Sequence, residues 1–332
     1  YRSFYAIKPL YTVTGIPTQA TFGFCRAIKK LGDDFDPGHM VIAWDGPVKS
    51  FRSEIFANYK ATRQKPPNEL FVQKEYIFKF LDAIKLAQIT KDGYEGDDVI
   101  AALATQYHDR QVVIVCADKD MGQLLSDNVL ILDPFKDRLI DQNDFKTDAG
   151  FAADKVSFYY ALLGDTSDNI PGVTGIGKKT AQELVQQFDS LDDLYKNLDK
   201  VKKERTRTLL AEQKDNAYLS LQLFTLKPPV LDMRIDQLVF DKNNWSQALP
   251  LFKELQFGSL IKDIEKRFPV AKQTTGEVNA SIFDAEAQPA VRTWELVLIQ
   301  DEQALADLIA LLKKKKYFAF DTETTGAEPM RH

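Results

Sequence analysis

Two short apolar runs, Met40-Val41-Ile42-Ala43-Trp44 and Val112-Val113-Ile114-Val115-Cys116-Ala117, each stop at an acid, Asp45 before Gly46-Pro47 and Asp118 before Asp120. Runs of this length, rich in β-branched residues and closed by turn formers, read as buried strands. Helical spacing lies between and around them, over Pro17 to Leu31, about Glu69 to Ala87, and Asp98 to Ala104. Strand and helix alternating to about residue 125 predict an α/β fold, a parallel sheet flanked by helices. In such folds acids that follow successive strands meet at one sheet edge, where open α/β proteins place their sites. The pattern changes afterwards: Val129 to Leu132 and Arg138 to Ile140 suggest a hairpin, and from Asp154 to Phe268 the chain reads as mainly helical, interrupted at Pro228-Pro229.

The turn Gly93-Tyr94-Glu95-Gly96-Asp97-Asp98 adds three carboxylates, and Asp165 with Asp168 adds a further pair. Each cluster has a plainer reading. Asp97 and Asp98 open a helical segment, where acids are ordinary caps; Asp118 and Asp120 can simply begin a turn. Asp165 and Asp168, three apart, would share one helical face or sit in a solvated loop. Their joint occurrence favours a divalent-metal site, because crowded carboxylates repel and resist ionising together unless a cation neutralises them. Oxygen-only ligands point to Mg²⁺ or Mn²⁺ rather than zinc.

The chain carries a formal charge of −5 over 332 residues, which alone argues weakly against a polyanionic partner. Its distribution argues the other way: from Lys49 to Lys91 nine basic residues face four acids. Base around an acidic pocket suits a metallonuclease, with cations along the phosphate path. Cys25 and Cys116 have no metal-type spacing and read as core. No leader and no apolar stretch of bilayer length stands out, so a cytoplasmic protein without a membrane partner is expected.

The stretch Ile170-Pro171-Gly172-Val173-Thr174-Gly175-Ile176-Gly177-Lys178-Lys179-Thr180-Ala181 misses both common phosphate-binding fingerprints, having Thr180 and Lys179 where those need other residues. What remains is a glycine-rich turn opening a helix over Ala181 to Phe188. Its backbone N–H groups suit a nucleic-acid phosphate, or the glycines serve a tight helix-to-helix turn.

Taken together, Phe51-Arg52, Tyr59-Lys60-Ala61-Thr62-Arg63, Gly93 to Asp98, Ala117-Asp118-Lys119-Asp120, Gly164 to Gly172 and Gly175-Ile176-Gly177 resemble the 5′-nuclease domain of bacterial DNA polymerase I, from residue 1 to about 268. The resemblance implies a PIN-like catalytic domain over 1–150 with a helical arch near Tyr59 to Lys91. A helical helix–three-turn–helix DNA-binding subdomain would follow over 151–268. It implies 5′–3′ exonuclease and 5′-flap endonuclease action on DNA with 5′ ends, flaps or nicks, by a monomer, in replication and excision repair. Two Mg²⁺ ions are implied, with Asp45, Glu95, Asp97, Asp118 and Asp120 holding or orienting one directly or through water, and Asp98, Asp165 and Asp168 completing the outer shell and the second metal. A K⁺ ion is implied at the helix–three-turn–helix turn. Lys60 and Arg63 are then candidates to clamp the scissile phosphate, and Tyr59 to stack on a terminal base or merely to pack. Gly172, Gly175, Gly177, Lys178 and Lys179 would contact duplex DNA.

Residues 269–292 read as a linker, and 293–332 resemble the start of a 3′–5′ proofreading exonuclease, with Asp321 and Glu323 matching that motif's metal ligands. The family opens with a strand ending in Asp-Gly-Ser, whereas this chain opens at Tyr1-Arg2-Ser3-Phe4-Tyr5, so the expectation is a fragment lacking one strand and one metal ligand, with impaired activity. A PIN-type ribonuclease and a non-catalytic DNA-binding module are the rival readings.

Overall fold

The structure is a computed structural model that describes residues 1–63 and 65–268, together with Ala306 and Ala310. The chain divides into units Tyr1–Ala271 and Lys272–His332, and the elements named below belong to the first. The expected linker, Asp321 and Glu323, and the segment after the linker apart from Ala306 and Ala310 lie outside the described residues.

Strand β1 (Val41–Ala43) runs parallel to β2 (Ala87–Ile89), with Val41 opposite Ala87. Strand β3 (Val112–Val115) runs parallel to β4 (Val129–Asp133), which turns back into antiparallel β5 (Arg138–Ile140), the hairpin the sequence suggests. Among the described residues these form two sheets, β1-β2 and β3-β4-β5, with no ladder between them.

Helices α1 (Arg2–Ala6), α2 (Gln19–Phe35), α3 (Phe51–Ile55), α4 (Asn68–Ala83) and α5 (Gly96–Gln106) accompany the strands. Helix α5 serves both sheets. Val99 and Leu103 pack with Val41, Ala43 and Ile89, while Ala101 and Ala104 pack with Ile114 and Ile131. A helix flanked by apolar neighbours on several sides needs such a run of apolar residues around its circumference.

Helix α4 ends four residues before Ala87, where its apolar spacing placed the end. Lys85 takes a left-handed φ of 55°, the Leu86 N–H closes onto the Leu81 carbonyl, and the next three residues become β2. A three-residue strand with a glutamine at its centre carries no periodicity that could be separated from a helix tail.

The segment Tyr59 to Lys91, expected to form a helical arch, begins in a turn that runs to Arg63 and contains α4, whose Leu70, Gln73, Ile77, Phe80 and Leu81 are buried, and then β2.

After β5 come α6 (Gln142–Ala149), α7 (Val156–Leu163), α8 (Lys178–Gln187), α9 (Leu191–Lys196), α10 (Glu204–Glu212) and α11 (Lys214–Phe224). Their core includes Val156, Leu162, Leu184, Leu194, Leu210 and Phe224. Pro228 and Pro229 then hold the chain out of helix, since proline offers no N–H and clashes with the preceding turn.

Beyond them, α12 (Leu249–Glu254) and α13 (Gly258–Arg267) do not join the preceding helices. Trp245, Phe252, Leu260 and Ile264 share a core with Cys25 and Ile28 of α2 and Ile77, Phe80 and Leu81 of α4. The stretch 151–268, expected as one helical subdomain, is therefore split between two cores. Apolar periodicity marks a helix's buried face without saying which partner covers it. Cys25 is in the core as expected, whereas Cys116 is only half-buried.

An acid-lined cavity and its cation rim

The acids follow successive strands drawn from both sheets, β1 and β2 of one and β3 of the other. Asp45 follows β1, Glu95 and Asp97 follow β2, and Asp118 and Asp120 follow β3. The Gly96 N–H donates to Asp45 Oδ1 at 2.8 Å, and Glu95 caps α5, so the helix N-terminus is bound directly to the end of β1. Asp118 caps the 3₁₀ turn Lys119–Leu124 by accepting from the Asp120 N–H.

Asp165 and Asp168 do not share a helical face. Helix α7 stops at Leu163, Gly164 has φ 74°, and residues 165–170 close on themselves through reciprocal Asp165–Ile170 backbone bonds, with Asn169 at φ 58°. The loop is fixed to the turn before α4 by the Lys60 N–H donating to the Asp168 carbonyl and Asn169 Nδ2 donating to the Asn58 carbonyl.

These elements enclose a cavity of about 410 Å³ lined by Asp45, Arg52, Tyr59, Lys60, Arg63, Glu95, Asp97, Asp118, Lys119, Asp120, Asp165 and Asp168, with a few uncharged residues between. Asp98, expected in the outer shell of a metal site, does not line it. Consecutive helical residues point about 100° apart, so Asp97 faces the cavity and Asp98 faces the interior. There the fully buried Asp98 receives Arg52 in a two-pronged pair, Nη1 at 2.6 Å and Nη2 at 2.9 Å, and also the Lys227 N–H at 2.9 Å. Arg52 further donates to the Leu223 and Thr225 carbonyls, tying α3 and α5 to the end of α11.

The remaining acids separate by their counter-charges. Glu95 receives Lys60 Nζ at 2.7 Å, Asp165 receives Lys119 Nζ at 2.8 Å, and Asp168 receives the Arg63 guanidinium. Asp45, Asp97, Asp118 and Asp120 have no cation within ion-pair distance among the described residues. Asp97 is pushed up to about 7 and Asp120 up to about 8, in each case by burial first and by the neighbouring Asp118 carboxylate next. Asp120 Oδ1 is shielded from solvent and has no hydrogen-bond partner. An orphaned buried oxygen among all-oxygen donors fits a hard divalent cation.

Among the described residues no three of these acids are already gathered as a ligand set for one ion. Mg²⁺ dehydrates reluctantly, keeps several waters and takes one or two carboxylates directly, so the arrangement fits an ion held largely through water.

Tyr59 is not available as a stacking platform. It is 8% exposed in the helical core, its hydroxyl donates to Glu95 Oε2 at 3.0 Å, and Lys60 Nζ lies 4.9 Å from its ring centroid. Burial, then the Glu95 charge, drive its phenol well above the usual value. Three further residues shape the site without having been assigned a role from the sequence: Arg52, Lys119 and Tyr160. Lys119 lies between two acids in the chain and lines the cavity itself, and its Nζ rests 4.8 Å from the Tyr160 ring centroid. The alternation of charge in Asp118-Lys119-Asp120 was the visible signal.

The glycine-rich turn lies in the helical core, before α8. Gly172 is buried at φ 61°, its N–H donates to Ser220 Oγ, and an added Cβ would sit 2.4 Å from the Gly164 nitrogen. It is a packing glycine, not a DNA contact. Gly175 and Gly177 are exposed, and Gly177 caps α8 with open space where a Cβ would stand. Exposed Lys178 and Lys179 follow at the helix N-terminus, where amides have no intrahelical partner.

Comparison with known proteins gives concordant matches. A family model described as 5′-3′ exonuclease, N-terminal resolvase-like domain, matches residues 1–150, and one described as 5′-3′ exonuclease, C-terminal SAM fold, matches residues 151–246. A 5′-3′ exonuclease of Aquifex aeolicus is 34% identical over 82% of this chain and 94% of its own length. DNA polymerase I of Chloroflexus aurantiacus is 36% identical over 99% of this chain, which spans 38% of that protein's length. Among solved structures, T5 5′-exonuclease with bound divalent zinc aligns at TM-score 0.54 and 21% identity, covering 74% of this chain and 89% of that one. The catalytic core of Rad2 with a DNA substrate aligns at TM-score 0.55 and 16% identity, covering 81% and 88%. At these identities the structural likeness establishes the fold, a PIN-like resolvase-type domain followed by a helical SAM-type one.

Proposed function

The chain belongs to the 5′-3′ exonuclease family, and we propose that it hydrolyses phosphodiester bonds at the 5′ ends, nicks and 5′ flaps of DNA, using two divalent ions, Mg²⁺ in the first instance. One observation carries this reading. A single cavity holds four carboxylates, Asp45, Asp97, Asp118 and Asp120, that have no counter-cation among the described residues, together with the cations Lys60 and Arg63. Ions bound by those acids would supply charge stabilisation and an activated water for in-line displacement.

The chain's own groups do the rest. Lys60 sits at a left-handed φ of 56°, anchored through its N–H on Asp168, so its side chain rises from a fixed point beside Glu95. Arg63 is oriented by Asp168. Together they would hold a non-bridging phosphate oxygen and balance charge that grows during bond breaking. The open amides at the start of α8, with Lys178 and Lys179, would grip a duplex phosphate away from the cut, and a K⁺ ion at that turn belongs to the same proposal. Primer removal and excision repair as part of a longer bacterial polymerase, and a cytoplasmic location, follow from the polymerase relatives as part of this reading.

Asp118→Asn tests it. The variant is expected to lose Mg²⁺-dependent cleavage of a 5′-flap duplex while retaining flap binding, since binding rests on phosphate contacts elsewhere. Cleavage at the wild-type rate overturns the metal assignment. Retention of the flap by the wild-type protein without any cutting favours a non-catalytic DNA-binding module, and preference for a matched RNA flap favours a ribonuclease.

A further inference from the structure

Asp165 is almost buried, its side chain 8% exposed, so its charge must be neutralised locally. One of its oxygens accepts the Ser167 N–H at 2.9 Å and the Ser167 hydroxyl at 2.7 Å. The other accepts Lys119 Nζ at 2.8 Å. The lysine is held from a second side by the face of Tyr160, which is itself stacked on Phe224 with centroids 4.4 Å apart. Its own backbone belongs to the turn that presents Asp118 and Asp120, so the side chain crosses the cavity from the open acid cluster to the neutralised one.

The lysine's side chain is 40% exposed, so it can leave without unfolding anything. A cation of single charge, tethered by one residue of chain to each of two candidate metal-holding acids, competes with any ion that approaches Asp165. Two cations a few ångströms apart repel, and the carboxylate oxygen cannot serve both.

We propose that Lys119 is a built-in counter-cation for the Asp165 side of the cavity, displaced when a second divalent ion binds, so that it sets the affinity of that ion and is released into the space that receives the phosphodiester. This rests on the reading of the cavity as a divalent-ion site. In the DNA-free protein, Asp165 is satisfied by its own chain, and the ion held by the open acids binds first.

The test is a titration of Mn²⁺ into metal-stripped, DNA-free protein, followed by calorimetry and by the electron paramagnetic resonance of free Mn²⁺. Lys119→Met keeps the stem that lies on Tyr160 and removes the charge, and Lys119→Arg keeps the charge. Wild type is expected to show a tighter and a weaker ion. Lys119→Met should tighten the weaker one between about threefold and thirtyfold and leave the tighter one in place, while Lys119→Arg stays close to wild type. Superimposable isotherms for wild type and Lys119→Met would overturn the proposal while leaving the cavity a metal site. Equal tightening by Lys119→Arg would overturn it as well, since charge would then not be the cause. No Mn²⁺ binding by any of the three proteins would remove both the proposal and the metal reading beneath it.

Discussion

Asp120 is the residue at which the acid cluster is most strained electrostatically, and Asp120→Asn should make the metal-free protein more stable above neutral pH. In the unfolded chain this carboxyl has its ordinary value of 3.8; in the fold it is pushed up to about 8 by burial and by Asp118 and Asp97. Below about pH 4 both states hold the proton, and the favourable contribution is complete. As pH rises, the unfolded chain releases the proton first, so stability falls from about pH 4 until the folded group itself ionises near pH 8. Each pH unit in that window withdraws about 1.4 kcal/mol from a group that is fully protonated when folded. Between pH 6 and pH 8 the loss would approach 3 kcal/mol, and relaxation of the surroundings together with coupling to Asp97 brings it to about 1–3 kcal/mol. The asparagine cannot ionise and offers a donor to its neighbours.

Thermal unfolding in the presence of a chelator reads this directly. Wild-type Tm is expected to fall between pH 6 and pH 8 by about 3–8 °C more than that of Asp120→Asn. Adding Mg²⁺ at pH 8 should raise wild-type Tm more than the variant's, because an ion that binds only the folded state stabilises it by mass action. Parallel Tm-against-pH curves for the two proteins would refute the argument, showing that the buried Oδ1 is solvated or paired after all.

Arg52→Met leaves Asp98 fully buried and charged, which should cost about 3–5 kcal/mol in urea unfolding, with much of it recovered in the Arg52→Met, Asp98→Asn double variant; a loss under about 1 kcal/mol would show the pair to be dispensable. Gly172→Ala should destabilise the fold by more than about 2 kcal/mol through its left-handed φ and the contact with Gly164, whereas Gly177→Ala should stay within about 1 kcal/mol of wild type and instead weaken duplex binding. Equal stabilities for the two variants would undo the separation of packing glycine from solvent-facing glycine. Lys178→Ala with Lys179→Ala should weaken binding to all duplexes alike and reduce the slope of log affinity against log salt by about 1–2, as one or two lost phosphate contacts require; an unchanged slope would mark the turn as purely structural.

What the sequence determined by itself is what nearest neighbours in the chain control. Asp45 and Asp118 lie at strand ends because short apolar runs stop at turn formers. The helix over Ala181 to Phe188 begins three residues earlier, at Lys178, but the glycine turn before it was visible. Tertiary structure decided what each charge meets. Asp97 and Asp98 are equivalent as letters, yet a rotation of about 100° sends one to the cavity and the other to Arg52, 46 residues away. Tyr59 carries the same ring whether it stacks on a base or packs; burial in the helical core and the Glu95 carboxylate settled it. Gly172 and Gly177 read alike until the Gly164 backbone stands against one and solvent against the other. Strand β2 and the return of α12 and α13 to the core of α2 and α4 were hidden for the same reason. Periodicity reports that a face is buried, whereas the partner that buries it, and the counter-ion that a buried charge finds, depend on residues far away in the chain.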